Sequence, residues 1–252
     1  MDDVDCSVPS FLRSPTNLRA YGADDNKAHP AISVLHSVWI TLTNHYWVTS
    51  DERRRAWLAG WIFLALFFGF LLATNLWLFK HNPGLLQERM RLGTSDQQGW
   101  DKLLFPLLIL LFFGWLISIS LDAVRFHWSP VPVWLQFVGA IVLLCSFYLL
   151  FLTFRENSYL STVVRIQEDR GQTVISTGPY HNVRHPMYSA ILVFAVGTSL
   201  LLGSWYGVLS GLVLVILLAR RAMLEERTLR AELPGYAAYM AQVKYRLIPH
   251  IW

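Results

Sequence analysis

The chain has 252 residues, of which 54% are hydrophobic, 14% aromatic and only 15% charged, against about 25% charged in an ordinary soluble domain. That balance excludes a typical soluble globular protein and predicts an integral membrane protein. The net charge of +4 is the kind that Lys and Arg give to cytoplasmic loops, so it does not read as a nucleic-acid footprint.

The first 30 residues are polar and mixed in charge, with no short apolar run of the signal-peptide kind, so no cleavable signal is expected. Residues 31–49 (AISVLHSVWITLTNHYWVT) carry two histidines and many Ser/Thr residues. They fit either an interfacial helix or a weak span. Residues 56–79, 103–121 and 131–154 are uncharged apolar runs. About 20 such residues cross a bilayer as a helix, so three spans are predicted. Residues 187–219 are too long for one span, and Gly203-Ser204 interrupts them. A tight hairpin of two rather short helices is expected there. The fold class is thus all-α integral membrane, with five transmembrane helices, or six if 31–49 spans. Three segments result: 1–55 (tail plus ambiguous helix), 56–154 (three spans) and 155–252 (the region with the informative polar motifs). Cys6 in the tail and Cys145 in an apolar run predict neither a disulfide nor a CxxC metal set, and no metal is expected.

Orientation follows from the basic residues. Placing 80–102, 155–186 and 220–252 on one side collects fourteen of the 21 Lys and Arg residues. The positive-inside rule puts that side in the cytoplasm, which is the inner face of the inner membrane if the protein is bacterial. Arg53, Arg54 and Arg55 are left on the outer side.

Chemistry concentrates in two polar blocks, "TGPYHNVRHPMY" (177–188) and "RRAMLEERTLRAELPGYAAYMAQVKYRLIPHIW" (220–252). A hairpin returns the chain to the side it left, so the blocks must meet at one membrane face. Gly178-Pro179 marks a turn. Pro186 suits the first turn of a helix, where its missing N–H costs nothing. Arg184 and His185 then stand at a helix N-terminus, which favours an anionic group. Arg221 and Glu225 are four apart and share one helical face. The pair reads either as a salt bridge with a snorkelling arginine or as two functional charges held at membrane depth. Pro234-Gly235 ends this helix, and Tyr236 and Tyr239 recur at helical spacing beyond it.

"GPYHNVRHPMY" (178–188), a hairpin, "RRAMLEERTL" (220–229) and "PGYAAYMAQVKYRLIP" (234–249) together resemble the isoprenylcysteine carboxyl methyltransferase family. The resemblance covers about residues 140–252. It implies an integral membrane enzyme using S-adenosylmethionine, with a lipophilic methyl acceptor from the bilayer. It implies cofactor-binding roles for Gln172, Thr173, Val174, Ile175, Tyr180, His185, Pro186, Met187, Tyr188 and Glu225, and places Arg221 near the acceptor as the catalytic residue. The acceptor is implied to be a prenylcysteine-like carboxylate, or another membrane-borne small molecule or lipid, since related phospholipid N-methyltransferases share the fold. A carboxylate acceptor needs no base; an amine or thiol would, with Glu226 or His185 the first candidates. Membrane sterol reductases, which bind NADPH, are a rival because of "YRLIP" (245–249). A non-catalytic membrane protein with the same fold is another.

Overall fold

The structure is a computed structural model that describes residues 51–91 and 95–252, with side chains described from Leu58 onward. The expected tail and the ambiguous 31–49 segment lie outside the described residues. Helix α1 runs Asp51–His81, α2 Pro83–Met90, α3 Asp101–Ser120 with a π-helical continuation Leu121–Phe126, and α4 Val133–Glu156. Then come α5 (Pro186–Leu202), α6 (Trp205–Glu232) and α7 (Tyr236–Gln242), with 3-10 turns at Glu168–Arg170 and Gly178–His181. No β-strand forms among the described residues; there is one isolated bridge, Pro130 to Ser204.

Among the described residues, four helical segments are long and apolar enough to cross a membrane: Leu58–His81, Asp101–Phe126, Val133–Glu156 and Trp205–Glu232. Helices suit lipid because each satisfies its own backbone groups. The hairpin is asymmetric. Helix α5 has 17 residues and α6 has 28, so the expectation of two short helices holds only for the first. Helix α6 does not stop where its apolar run ends at Ala219. It continues through the charged "RRAMLEERTLRAE", whose Arg, Leu, Glu and Ala residues all favour helix. The 80–102 segment, read as a loop, contains α2, started by Pro83 and capped by the Asn82 side chain.

Close packing joins α4 and α5. A Cβ built on Gly139 would lie 2.4 Å from Leu201 N, and one on Gly197 would lie 2.6 Å from Leu143 N. Small residues let membrane helices approach this way, since lipid supplies no hydrophobic drive between them. Phe194 of α5 is the hub of the aromatic core, in ring contact with Phe63, Phe67, Phe112, Trp115 and Phe147. Trp115 also donates to the Gly207 carbonyl at 2.8 Å, tying α3 to α6.

The hairpin turn marks one end of the bundle. Gly203 takes φ 87° there, and Ser204 caps α6 by accepting from Gly207 N. Asp122, 1% exposed, receives hydrogen bonds from Ser129 N, Ser129 Oγ and Ser204 Oγ. Ser129 Oγ in turn accepts from Trp205 N and Tyr206 N. At the opposite end, α2, the 157–185 segment and the C-terminal residues converge. Asn82 donates to Ser158, Arg89 to the Leu160 carbonyl, and Gln98 N to the Val164 carbonyl.

Candidate functional site

The two polar blocks meet as hairpin geometry requires. Arg184 N donates to the Tyr245 carbonyl and His185 N to the Arg246 carbonyl, both at 2.9 Å. Pro186 opens α5 with His185 as its N-cap. The N-terminus that was expected to favour an anion has an internal one. Glu226 takes Arg184 Nε at 2.6 Å and Arg246 Nε at 2.8 Å, one on each oxygen, and His185 Nε2 stands 3.4 Å from it. Arg184 also donates to the Val243 carbonyl. Glu226 therefore cross-links three chain segments. Carrying two guanidinium partners, it is a poor general base, which leaves His185 of the two candidates named for an amine or thiol acceptor.

Arg221 and Glu225 share a face of α6 but are not each other's partners. Arg221 Nε and Nη2 go to the two oxygens of Asp101, at 2.9 and 3.3 Å, and Nη2 also donates to the Thr162 carbonyl. Asp101 is fully buried and takes Val164 N and Gln97 as well. The salt-bridge reading was right that Arg221 is paired, and wrong about the partner. Glu225 takes the Tyr188 hydroxyl on Oε2 at 2.7 Å.

A cavity of about 90 Å³, opening to the outside, lies between these groups. Gln172, Thr173, Val174, Ile175, Tyr180, His185, Met187, Tyr188, Arg221 and Glu225 all line it. Pro186 does not; it is fully buried at the helix start, where its part is to set the direction of α5. The 172–175 segment forms neither helix nor strand. Its Gln172 is held by accepting from Gln167 N at 2.8 Å. The Gly178–His181 turn needs Gly178, whose φ is 57° and whose added Cβ would fall 2.9 Å from a Glu156 oxygen.

Asn157 and Arg165 are walls that were not picked out from sequence. Asn157 donates to the Tyr180 hydroxyl and Tyr239 donates to the Tyr180 carbonyl, fixing the turn from both sides. Burial pushes the phenols of Tyr180, Tyr236 and Tyr239 well above their usual values, so all three stay neutral. Arg165 is held by Glu88 through two bonds of 2.8 Å, with Asp96 and Asp169 beside it. That contact raises Arg165 above its ordinary value and lowers Glu88 below its own. Tyr236 and Tyr239 had a visible signal in their spacing. Asp101 had a weaker one, as a lone acid at the mouth of an apolar run.

Among the described residues, no group of three or more His, Cys, Asp or Glu side chains is placed to hold a metal ion. No curated protein matches the chain. Residues 134–233 match the family model described as phospholipid methyltransferase, a family among the isoprenylcysteine carboxyl methyltransferase-like membrane methyltransferases. That stretch takes in nearly all of α4, the hairpin and most of the cavity wall, so this part of the chain is similar to that family of membrane methyltransferases.

Proposed function

We propose that the protein transfers a methyl group from S-adenosylmethionine to a lipophilic acceptor drawn from the bilayer. The observation that carries this reading is the cavity shared by the 172–188 segment and the Arg221/Glu225 face of α6, within a stretch that matches a methyltransferase family. The residues suit such a ligand. Glu225 has Oε1 left over after Tyr188 occupies Oε2, which fits an ammonium group. Tyr236, whose buried hydroxyl has no hydrogen-bond partner, is among the residues that line the cavity. Every arginine lining the cavity already has a carboxylate: Arg165 with Glu88, Arg184 with Glu226, Arg221 with Asp101. A polyanion such as NADPH needs uncommitted cations, so the cavity favours S-adenosylmethionine over the reductase cofactor.

Bound S-adenosylmethionine would supply an electrophilic methyl on a sulfonium, open to in-line displacement. The chain's part is position and electrostatics. Gln172, Thr173, Val174, Ile175, Tyr180, His185, Met187 and Tyr188 form the cofactor wall, with Pro186 behind it, and Glu225 holds the charged end. Arg221 is fixed by Asp101 through Nε and Nη2, leaving Nη1 to orient an acceptor carboxylate or phosphate oxygen. A carboxylate acceptor is already ionised at pH 7 and needs no base, consistent with Glu226 being bound up in the fold. This favours the carboxyl O-methyl type.

Helix α5 serves as a fifth span in this reading, because α6, which packs beside it, crosses fully. The cavity faces the cytoplasm: the basic segments 80–102, 155–186 and 220–252 gather at its end of the bundle, as the positive-inside rule requires. Residues 155–252 form the core of the enzyme, supported from outside by Asp101 and Glu88.

Titration of the protein in lipid nanodiscs tests the proposal. S-adenosylhomocysteine should bind in the micromolar range, roughly −8 kcal/mol at 1 μM, and NADPH should not bind. NADPH binding, with no S-adenosylhomocysteine binding at millimolar concentration, would refute it.

A further inference from the structure

The arginines that line the cavity each have a carboxylate; Arg89, in the last turn of α2 and outside the cavity, has none. It is half-buried. Its guanidinium carbon lies 4.5 Å from the centre of the Phe154 ring, and Nη1 donates to the Leu160 carbonyl at 3.2 Å. Among the described residues it forms no ion pair. Its sequence neighbour Glu88 is spent on Arg165, and Glu156, at the end of α4, accepts from Thr177. A guanidinium carries five N–H donors, so one bond to a carbonyl leaves most of them unspent and the charge unanswered. Burial pulls the Arg89 pKa below the ordinary arginine value, as it does for a cation held away from water without an anion.

The position of Arg89 selects its partner. Helix α2 follows directly on the apolar span Leu58–His81, and Phe154 stands in the last turn of the span Val133–Glu156. Arg89 therefore sits where two spans leave the bilayer, at the depth of the lipid headgroups. The surface nearby suits that depth. Trp77 packs on His81 and on Phe151, joining the ends of α1 and α4, and Trp is the residue of membrane boundaries. Phe79 and Met90 are exposed. Lys80 and Arg155, both exposed, occupy the last turns of the same two helices. The charge at this junction is positive, which favours an anionic headgroup over a zwitterionic one.

We propose that Arg89 holds the phosphate of an anionic phospholipid through its planar donor fork, as a resident lipid at the junction of α1, α2 and α4. The site is separate from the cavity, and the proposal does not depend on which cofactor the cavity takes. It has a structural consequence there. Thr162 Oγ1 donates to the Arg89 carbonyl, and the Thr162 carbonyl accepts from Arg221. Helix α2 thus braces the 160–162 stretch behind Arg221, and a lipid on Arg89 holds that brace from the membrane side.

The test compares wild type and Arg89→Gln in nanodiscs of dioleoyl phosphatidylcholine, with and without dioleoyl phosphatidylglycerol. The readouts are melting temperature and native mass spectrometry of lipid retained after extraction. Wild type should melt higher with phosphatidylglycerol present and should keep a phosphatidylglycerol molecule. Arg89→Gln should retain it about fivefold less and lose most of the melting shift. Arg89→Lys, which has the charge without the planar fork, should fall between the two, and it carries the test if Arg89→Gln does not fold. Inorganic phosphate added to phosphatidylcholine discs should give no shift. Retention in the variants equal to wild type, or equal retention of the two lipids by wild type, would overturn the site. A shift from inorganic phosphate as large as that from phosphatidylglycerol would overturn its assignment to a lipid.

Discussion

Both ends of the bundle bury a carboxylate among hydrogen-bond donors, and they use it differently. At the hairpin turn, Asp122 takes two hydroxyls and a backbone N–H, and these donors close the turn on itself. At the opposite end, two adjacent carboxylates divide the work. Glu226 is consumed by Arg184 and Arg246, whereas Glu225 faces the cavity with one oxygen unspent. A buried polar group that is fully satisfied holds a fold together; one left partly unsatisfied beside a cavity is available to a ligand. Neighbours in sequence can thus belong to different tasks, because consecutive helical residues point about 100° apart.

Three substitutions or conditions probe this contrast, in decreasing order of effect. Glu226→Ala strands the buried Arg184 guanidinium and unpairs the partly exposed Arg246. Breaking such a pair costs about 3–5 kcal/mol, so the variant should melt far below wild type in a thermal unfolding assay, and S-adenosylhomocysteine binding should be lost along with the fold. A stable Glu226→Ala protein would show that its cross-link is dispensable. Asp122→Ala should cost about 1–3 kcal/mol by leaving the Ser129 and Ser204 donors unpaired. S-adenosylhomocysteine affinity of the folded fraction should be unchanged, because the turn lies at the far end; a change in affinity would break the division between ends. The smallest effect concerns Glu88. Its folded pKa lies below the ordinary 4.5, chiefly through the Arg165 hydrogen bond. A depressed carboxylate contributes stability above its unfolded pKa and loses it as pH falls through the folded value. Melting temperature should therefore drop below about pH 4.5, and Glu88→Gln should flatten that drop. An identical acid slope in the variant would remove Glu88 from the account.

Much of this architecture was legible from the chain. Apolar runs located α1, α3, α4 and the hairpin because lipid admits few alternatives to uninterrupted helix. Gly203-Ser204 gave the turn, and Pro186 the start of α5. That the two polar blocks meet was legible because the hairpin forces them together, whereas Gln172 to Ile175 and the roles of Arg221 and Glu225 came from the resemblance. The family match agrees with the resemblance that those motifs carry. Pairings over long sequence separation were not legible. Arg221 reaches Asp101 120 positions away, and nothing local to either residue specifies that distance. Nor were the partners of Glu226 legible: the resemblance singles out Glu225, but nothing local to Glu226 points to Arg184 and Arg246. The end of α6 was legible as well: Pro234-Gly235 marks it, and the helix stops at Glu232.

The central claim is that Glu225 is addressed to the ligand and not to the fold. Its direct test is S-adenosylhomocysteine titration of Glu225→Gln alongside a melting curve of the same sample. Loss of a charge-assisted hydrogen bond should weaken binding by about 1.5–3 kcal/mol, tenfold or more, with the melting temperature unchanged. Wild-type affinity in Glu225→Gln, or a loss of binding that appears only together with a collapsed melting temperature, would contradict the claim.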